Sequence, residues 1–103
     1  MKSKLRMQII LDFNTERERQ IRVEGWTPAH DDQHDSGELA AAAGFYAMRT
    51  VPRFKNLSIM EFWPWDSSWF KPTNQRRDLI KAAALIVAEI ERLDRLLEKD
   101  DGS

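Results

Sequence analysis

The sequence predicts a mainly α-helical small domain over residues 1–103, with room for one two-stranded β element. Three observations carry this. Leu79, Ala83, Ile86, Ile90, Leu93 and Leu97 recur at alternating four- and three-residue spacing, the period of an apolar helix stripe. An alanine-rich stretch, GELAAAAGFYAM, follows an acidic capping signal. Period-2 alternation is confined to two short segments.

Residues 7–13 are the first of these segments. Met7, Ile9, Leu11 and Phe13 alternate, and we read a strand; Leu5, Ile9 and Phe13 at four-residue spacing offer a helix instead. Thr15 and Glu18 then have the form of a capping box, opening a charged helix that stops at Gly25. A loop with Pro28 covers residues 25–35. Asp35, with Glu38 three positions on, caps a second helix in which Leu39, Ala43, Tyr46 and Ala47 share a face. Ala40–Ala43 and Gly44 give that helix a low surface that another backbone can approach closely.

Val51-Pro52 ends the second helix. Leu57, Ile59 and then Glu61 or Trp63 alternate, so residues 57–63 could pair as a second strand with residues 7–13. Thr73 or Asn74 caps the last helix, which runs from about Gln75 to Lys99 before residues 100–103 fray. Along it, Glu91 and Arg95 form an i,i+4 pair, and Glu89 reaches Arg92 at i+3. A second apolar row, Ile80, Ala84 and Val87, means burial on more than one side, in the core or at a subunit interface.

Composition narrows the function. With 16 basic against 17 acidic residues, the chain carries no electrostatic footprint for a DNA or RNA duplex or an anionic membrane. No cysteine is present, which removes thiolate nucleophiles and cysteine zinc sites. The N-terminal apolar run is broken at Asp12 and is too short for a membrane span, so a cytoplasmic protein is expected. Walker, GxGxxG and GxSxG motifs are absent.

Three groups of residues could carry chemistry. The string HDDQHD holds both histidines, His30 and His34, four residues apart among Asp31, Asp32 and Asp35. His30, Asp31 and His34 are the set that would hold a divalent metal; the alternative is acidic capping of a helix start. Lys71, Arg76, Arg77 and Lys81 gather at the start of the last helix, where positive charge is unfavourable. Either an anion such as phosphate sits there, or Arg76 or Arg77 pairs with the HDDQHD acids. The aromatics Trp26, Tyr46, Trp63, Trp65, Trp69 and Phe70 fill a core or stack on a base. Trp26 and Trp69 adjoin polar loop residues and are the better stacking candidates.

The stretches ERERQIRVEGWTPAHDDQHDSGELAAAAGFYA (16–47), WPWDSSWFKP (63–72) and RRDLIKAAALIVAEIERLDR (76–95) resemble a family of small phage and prophage proteins, over roughly three fifths of the chain. The resemblance implies a phage accessory protein, acting in the host cytoplasm as a homo-oligomer. It would bind and sequester a nucleotide-like, phosphate-bearing ligand to counter host defence signalling, without catalysis. Arg or Lys would take phosphate, Trp the base and Asp the ribose hydroxyls. The implied ligand set is Trp26, His30, Asp31, Asp32, His34, Trp69, Lys71, Arg76 and Arg77. One alternative is a metal-dependent nucleotide pyrophosphohydrolase, for which Glu91 and Asp94 supply an ExxD pair but Glu38 lacks a second acid. The other is a protein-only inhibitor of a host defence complex.

Overall fold

The computed structural model describes residues 2–102, with side chains from residue 3 to residue 99. Five α-helices follow in order: α1 (Lys2–Arg22), the single turn α2 (Pro28–Asp31), α3 (Glu38–Arg49), the single turn α4 (Ile59–Phe62) and α5 (Gln75–Gly102). Short 3₁₀ turns at Pro52–Phe54 and Ser67–Trp69 complete the architecture. Among the described residues no strand forms.

Residues 7–13, read as a strand, lie inside α1. No Pro or Gly interrupts residues 2–22, and Gln8 donates to Asp12 one turn on, at 2.9 Å. A period-2 pattern needs a partner strand, and residues 59–62 instead turn into α4. There the Ser58 hydroxyl accepts the Glu61 N–H at 3.3 Å, a short N-cap. Thr15 lies mid-helix and caps nothing. The end of α1 follows the expected chemistry: Gly25 takes φ 77°, and the Trp26 N–H reaches back to the Gln20 carbonyl at 3.0 Å. The bond closes a wide turn around Gly25, whose left-handed backbone favours glycine.

Asp35 does not cap α3. Gly37, at φ 85°, stands at the N-cap without a side-chain bond, and Glu38 folds back to accept the Ser36 N–H at 2.7 Å. In α5 the cap is Asn74, whose Oδ1 accepts the Arg77 N–H at 2.9 Å. Asp78 reinforces it by accepting the Thr73 N–H at 2.9 Å. The helix runs on to Gly102, past the expected end at Lys99.

The core lies between α3 and α5. Leu39, Ala42, Ala43, Phe45 and Tyr46 of α3 pack with Ala82, Leu85 and Ala88 of α5, roofed by Trp26 and Trp63. The alanines let the two helices approach closely, as the sequence implied, although Ala40, Ala41 and Gly44 face outward. Phe45, Tyr46, Trp63 and Phe70 meet at centroid distances of 4.9–5.7 Å, spacings that favour edge-to-face and tilted aromatic pairs. They hold the irregular segment between α4 and α5 on the core. Arg49 ties the preceding loop by donating to the Leu57 carbonyl at 2.9 Å.

The long apolar row of α5 is not in this core. Leu79, Ile86, Ile90, Leu93 and Leu97 are 44–63% exposed, whereas Ile80, Ala84, Leu85 and Ala88 are buried. The Cα radius of gyration is 14.6 Å, against about 13 Å for a 100-residue domain, so the packing leaves apolar helix surface extended outward.

The core assignment has a direct test. Leu39→Ala empties a site that is 1% exposed and should lower unfolding free energy by about 2–5 kcal/mol. Met60→Ala, at a side chain 96% exposed, should change it by no more than about 0.5 kcal/mol. Urea unfolding of both variants measures the difference, and equal losses would contradict the assignment.

Candidate functional site

Two clefts lie side by side and share Trp26 and Trp69 as a wall. The first, about 340 Å³, is lined by Glu16, Arg19, Gln20 and Glu24 of α1 and its end, Tyr46 of α3, residues 71–73, and Arg77 and Lys81 of α5. The second, about 220 Å³, is lined by His30, His34, Trp65 and Asp66 with the two shared tryptophans. The ring pairs Trp26–Trp65, Trp26–Trp69 and His34–Trp65 lie 5.7, 6.2 and 5.1 Å apart.

The first cleft brings four cations against two carboxylates. Arg19 grips Glu16 with two bonds of 2.9 Å and reaches Glu24 at 3.1 Å. Arg77 pairs with Glu16, and Lys71 lies 3.4 Å from Glu24. Burial pushes the Glu16 and Glu24 carboxyls up, but hydrogen bonds and charge from Arg19, joined by Arg77 or Lys71, outweigh it and hold both below their ordinary 4.5. Lys81 differs from the other three cations. Its side chain is buried and donates to the Lys71 carbonyl at 2.5 Å, yet among the described residues no carboxylate forms an ion pair with it. Burial lowers its pKa from 10.5; an anion in the cleft would act in the opposite direction. The buried Gln20 Oε1 also has no protein partner.

The second cleft is aromatic and imidazole-lined. Trp69 is 41% exposed and offers a ring face, whereas Trp26 is 8% exposed and acts as a fixed wall. Lys71 Nζ stands 5.5 Å from the Trp69 ring centre, linking the clefts. The His30 and His34 rings lie 4.7 Å apart, edge to face. Trp65 Nε1 is buried and has no protein partner.

HDDQHD is thus divided. His30 and His34 face the second cleft. Asp31 is fully buried and pairs with Arg17, whose Nη1 also donates to the Trp26 carbonyl at 3.1 Å. Burial still pushes the Asp31 carboxyl up, Arg17 offsetting only part of it, and its Oδ1 stands 3.6 Å from His30 Nδ1, just past hydrogen-bond reach. Asp31 therefore belongs to the structural support, not to the ligand set. The metal set of His30, Asp31 and His34 is not assembled, and among the described residues no group of three or more His, Asp or Glu side chains is placed to hold a metal.

Asp32 faces outward and pairs with Arg95 at 2.7 Å, away from both clefts. Arg76 also lies outside them, paired with Asp12 at 2.7 Å. Neither Arg76 nor Arg77 meets the HDDQHD acids, because that string packs against the later turns of α5 rather than its start. The expected Glu91–Arg95 pair is consequently replaced: Glu91 turns to Arg17 at 3.5 Å and Arg95 to Asp32. Glu91 and Asp94 are both exposed and line neither cleft. The expected Glu89–Arg92 pair forms, at 2.6 Å. Of the expected ligand residues, Trp26, His30, His34, Trp69, Lys71 and Arg77 converge.

Residues absent from that set are Arg17, Arg19, Gln20, Tyr46, Trp65 and Lys81. For Lys81 a signal existed: it stands one helical turn after Arg77. The α1 residues had none, because ERERQ reads as a solvated face.

The fold and site define a small, mainly helical protein with a cationic cleft beside an aromatic one. No protein-family model, curated protein or solved structure matches the chain. Among the described residues no helix is long and apolar enough to cross a membrane.

Two tests follow from the charges. Arg17→Met leaves Asp31 buried without its partner and should cost about 3–5 kcal/mol; adding Asp31→Leu should recover part of that loss. Additive losses in urea unfolding would contradict the pairing. The second test is acid titration of stability. Asp12, Glu16, Glu24, Glu38 and Asp66 all sit below their ordinary values of 3.8 or 4.5. Their contribution is full above those values and is lost as pH falls through the lowered ones. Asp31, held above 3.8, works in the opposite sense. The urea midpoint should therefore fall as pH drops below 4.5; a level or rising midpoint there would contradict the balance.

Proposed function

We propose that this protein binds a small molecule carrying both a phosphate and an aromatic ring, a nucleotide in kind, and holds it without chemistry. One observation carries the reading: the Trp26–Trp69 wall separates a cleft containing a buried ammonium without a carboxylate partner from a cleft lined by indole and imidazole rings. Phosphate would sit by Lys81, Arg77 and Lys71, where charge-assisted hydrogen bonds are strongest. The ring would lie against Trp69. Trp65 Nε1 and the histidines would meet its polar edge, and Gln20 Oε1 would take a hydroxyl or amine proton.

Several features favour binding over hydrolysis. Glu16 and Glu24 in the first cleft are engaged with arginine or lysine, Asp66 in the second accepts hydrogen bonds from Ser68, and all three are held below their ordinary pKa, the opposite of a general base poised near neutrality. The ExxD pair stands apart from both clefts. Within this proposal the protein works in a host cytoplasm as a self-associating phage accessory protein, removing a defence-signalling nucleotide from circulation.

Trp69→Ala is the discriminating variant, because Trp69 is 41% exposed and lies outside the buried core. Purified protein heated to release its small molecules should yield an intact phosphorylated nucleotide by mass spectrometry. Binding of that nucleotide by calorimetry should weaken by about 1–3 kcal/mol in Trp69→Ala, about 5- to 150-fold in Kd. Cleaved products alone would support hydrolysis instead. Absence of any phosphorylated ligand, with no calorimetric response to a panel of mono- and dinucleotides, would overturn the proposal.

A further inference from the structure

The outer row of α5 is an apolar surface with an internal symmetry. Leu79, Ile86, Ile90, Leu93 and Leu97 are 44, 49, 51, 46 and 63% exposed, with Ala83 between them. The row covers residues 79–97, a length of about 27 Å. Ala84, Leu85 and Ala88, buried in the core, lie on the opposite side of the helix. Spacings of four and three throughout are those of a helix seam, in which side chains of one helix enter holes on another.

The residue order states which helix fits. Set antiparallel to itself about a two-fold axis near Ala88, α5 places Leu79 opposite Leu97 of the second copy, Ala83 opposite Leu93, and Ile86 opposite Ile90. All six positions find partners, and the smallest side chain faces a leucine. A parallel pairing would set Ala83 against Ala83 and leave a gap, which close-packed interfaces avoid. In the antiparallel arrangement Glu89 nears its own copy at the axis, but Arg92 already neutralises it at 2.6 Å.

We infer that two copies of this chain pair through α5 as an antiparallel, two-fold helix seam, the self-complementary contact of an isologous dimer. The inference specifies the self-association proposed above and does not depend on ligand binding.

The chain lacks cysteine, so introduced thiols report the register directly. The unmodified protein should sediment as a dimer at micromolar concentration. Ile86→Glu, at a side chain the monomer leaves half exposed, should sediment as a monomer with unchanged helix content by circular dichroism. Under mild oxidation, Leu79→Cys mixed with Leu97→Cys should give a covalent dimer joining one variant to the other, while Leu79→Cys alone should not cross-link. A monomeric unmodified protein would overturn the inference and the self-association together. A dimer in which Leu79→Cys links to itself, or one that survives Ile86→Glu, would overturn the seam while leaving self-association standing.

Discussion

The buried pair of Arg17 and Asp31 is the contact on which the rest of the molecule depends. Arg17 reaches from α1 to Asp31 on the single turn α2, to the Trp26 carbonyl and to Glu91 on α5. One guanidinium thereby ties three segments together. Such a pair adds little net stability when weighed against an apolar substitute, because desolvating two charges costs several kcal/mol. Its effect is positional: it sets Trp26 as the wall between the clefts and turns His30 and His34 toward the aromatic one.

A second consequence is the unusual division of α1. Its buried residues are Glu16, Arg17 and Gln20, while Leu5, Met7, Ile9 and Leu11 are exposed. Charged and polar groups are the most deeply buried part of this helix, with Ile10, Phe13 and Ile21 half-buried beside them. This explains why the clefts are rich in engaged ions: the groups that attach α1 to α5 also line the first cleft. A ligand there would meet a preformed network needing little reorganisation, which lowers the cost of binding.

How much of this the sequence revealed follows from the same physics. Helix α5 was legible from its caps and apolar period, and Trp26 and Trp69 were found as ring residues set among polar neighbours. The burial of α5 was partly legible: Ile80 and Ala84 of the second row are buried, but Leu79 to Leu97 lies outside the core, and Ala82, Leu85 and Ala88 pack on α3. Large side chains mark affinity for any apolar partner, whether inside or outside the chain. The second half of α1 was legible from its charged run and its stop at Gly25, whereas the first half reads as a strand because Met7 to Phe13 alternate. Arg17 and Asp31 are 14 residues apart, and nothing in spacing says that two common charges will be buried together. Arg76 was misplaced for a simpler reason, since adjacent helix residues point about 100° apart and only Arg77 turns toward the cleft.

If the Trp26–Trp69 wall divides one composite site, a bound ligand will register at the indole N–H groups on both sides of it. The four tryptophans should give four resolvable indole resonances in nitrogen–proton correlation spectra of the whole protein. Titration with adenosine monophosphate and with inorganic phosphate separates the two clefts. The nucleotide should move the signals of Trp26, Trp65 and Trp69. Trp63, a buried side chain whose Nε1 donates to the Asp66 carbonyl at 2.9 Å, should stay in place. Phosphate alone should leave Trp65 unmoved. Movement of Trp63 alone, or no indole response to either probe, would contradict the composite site.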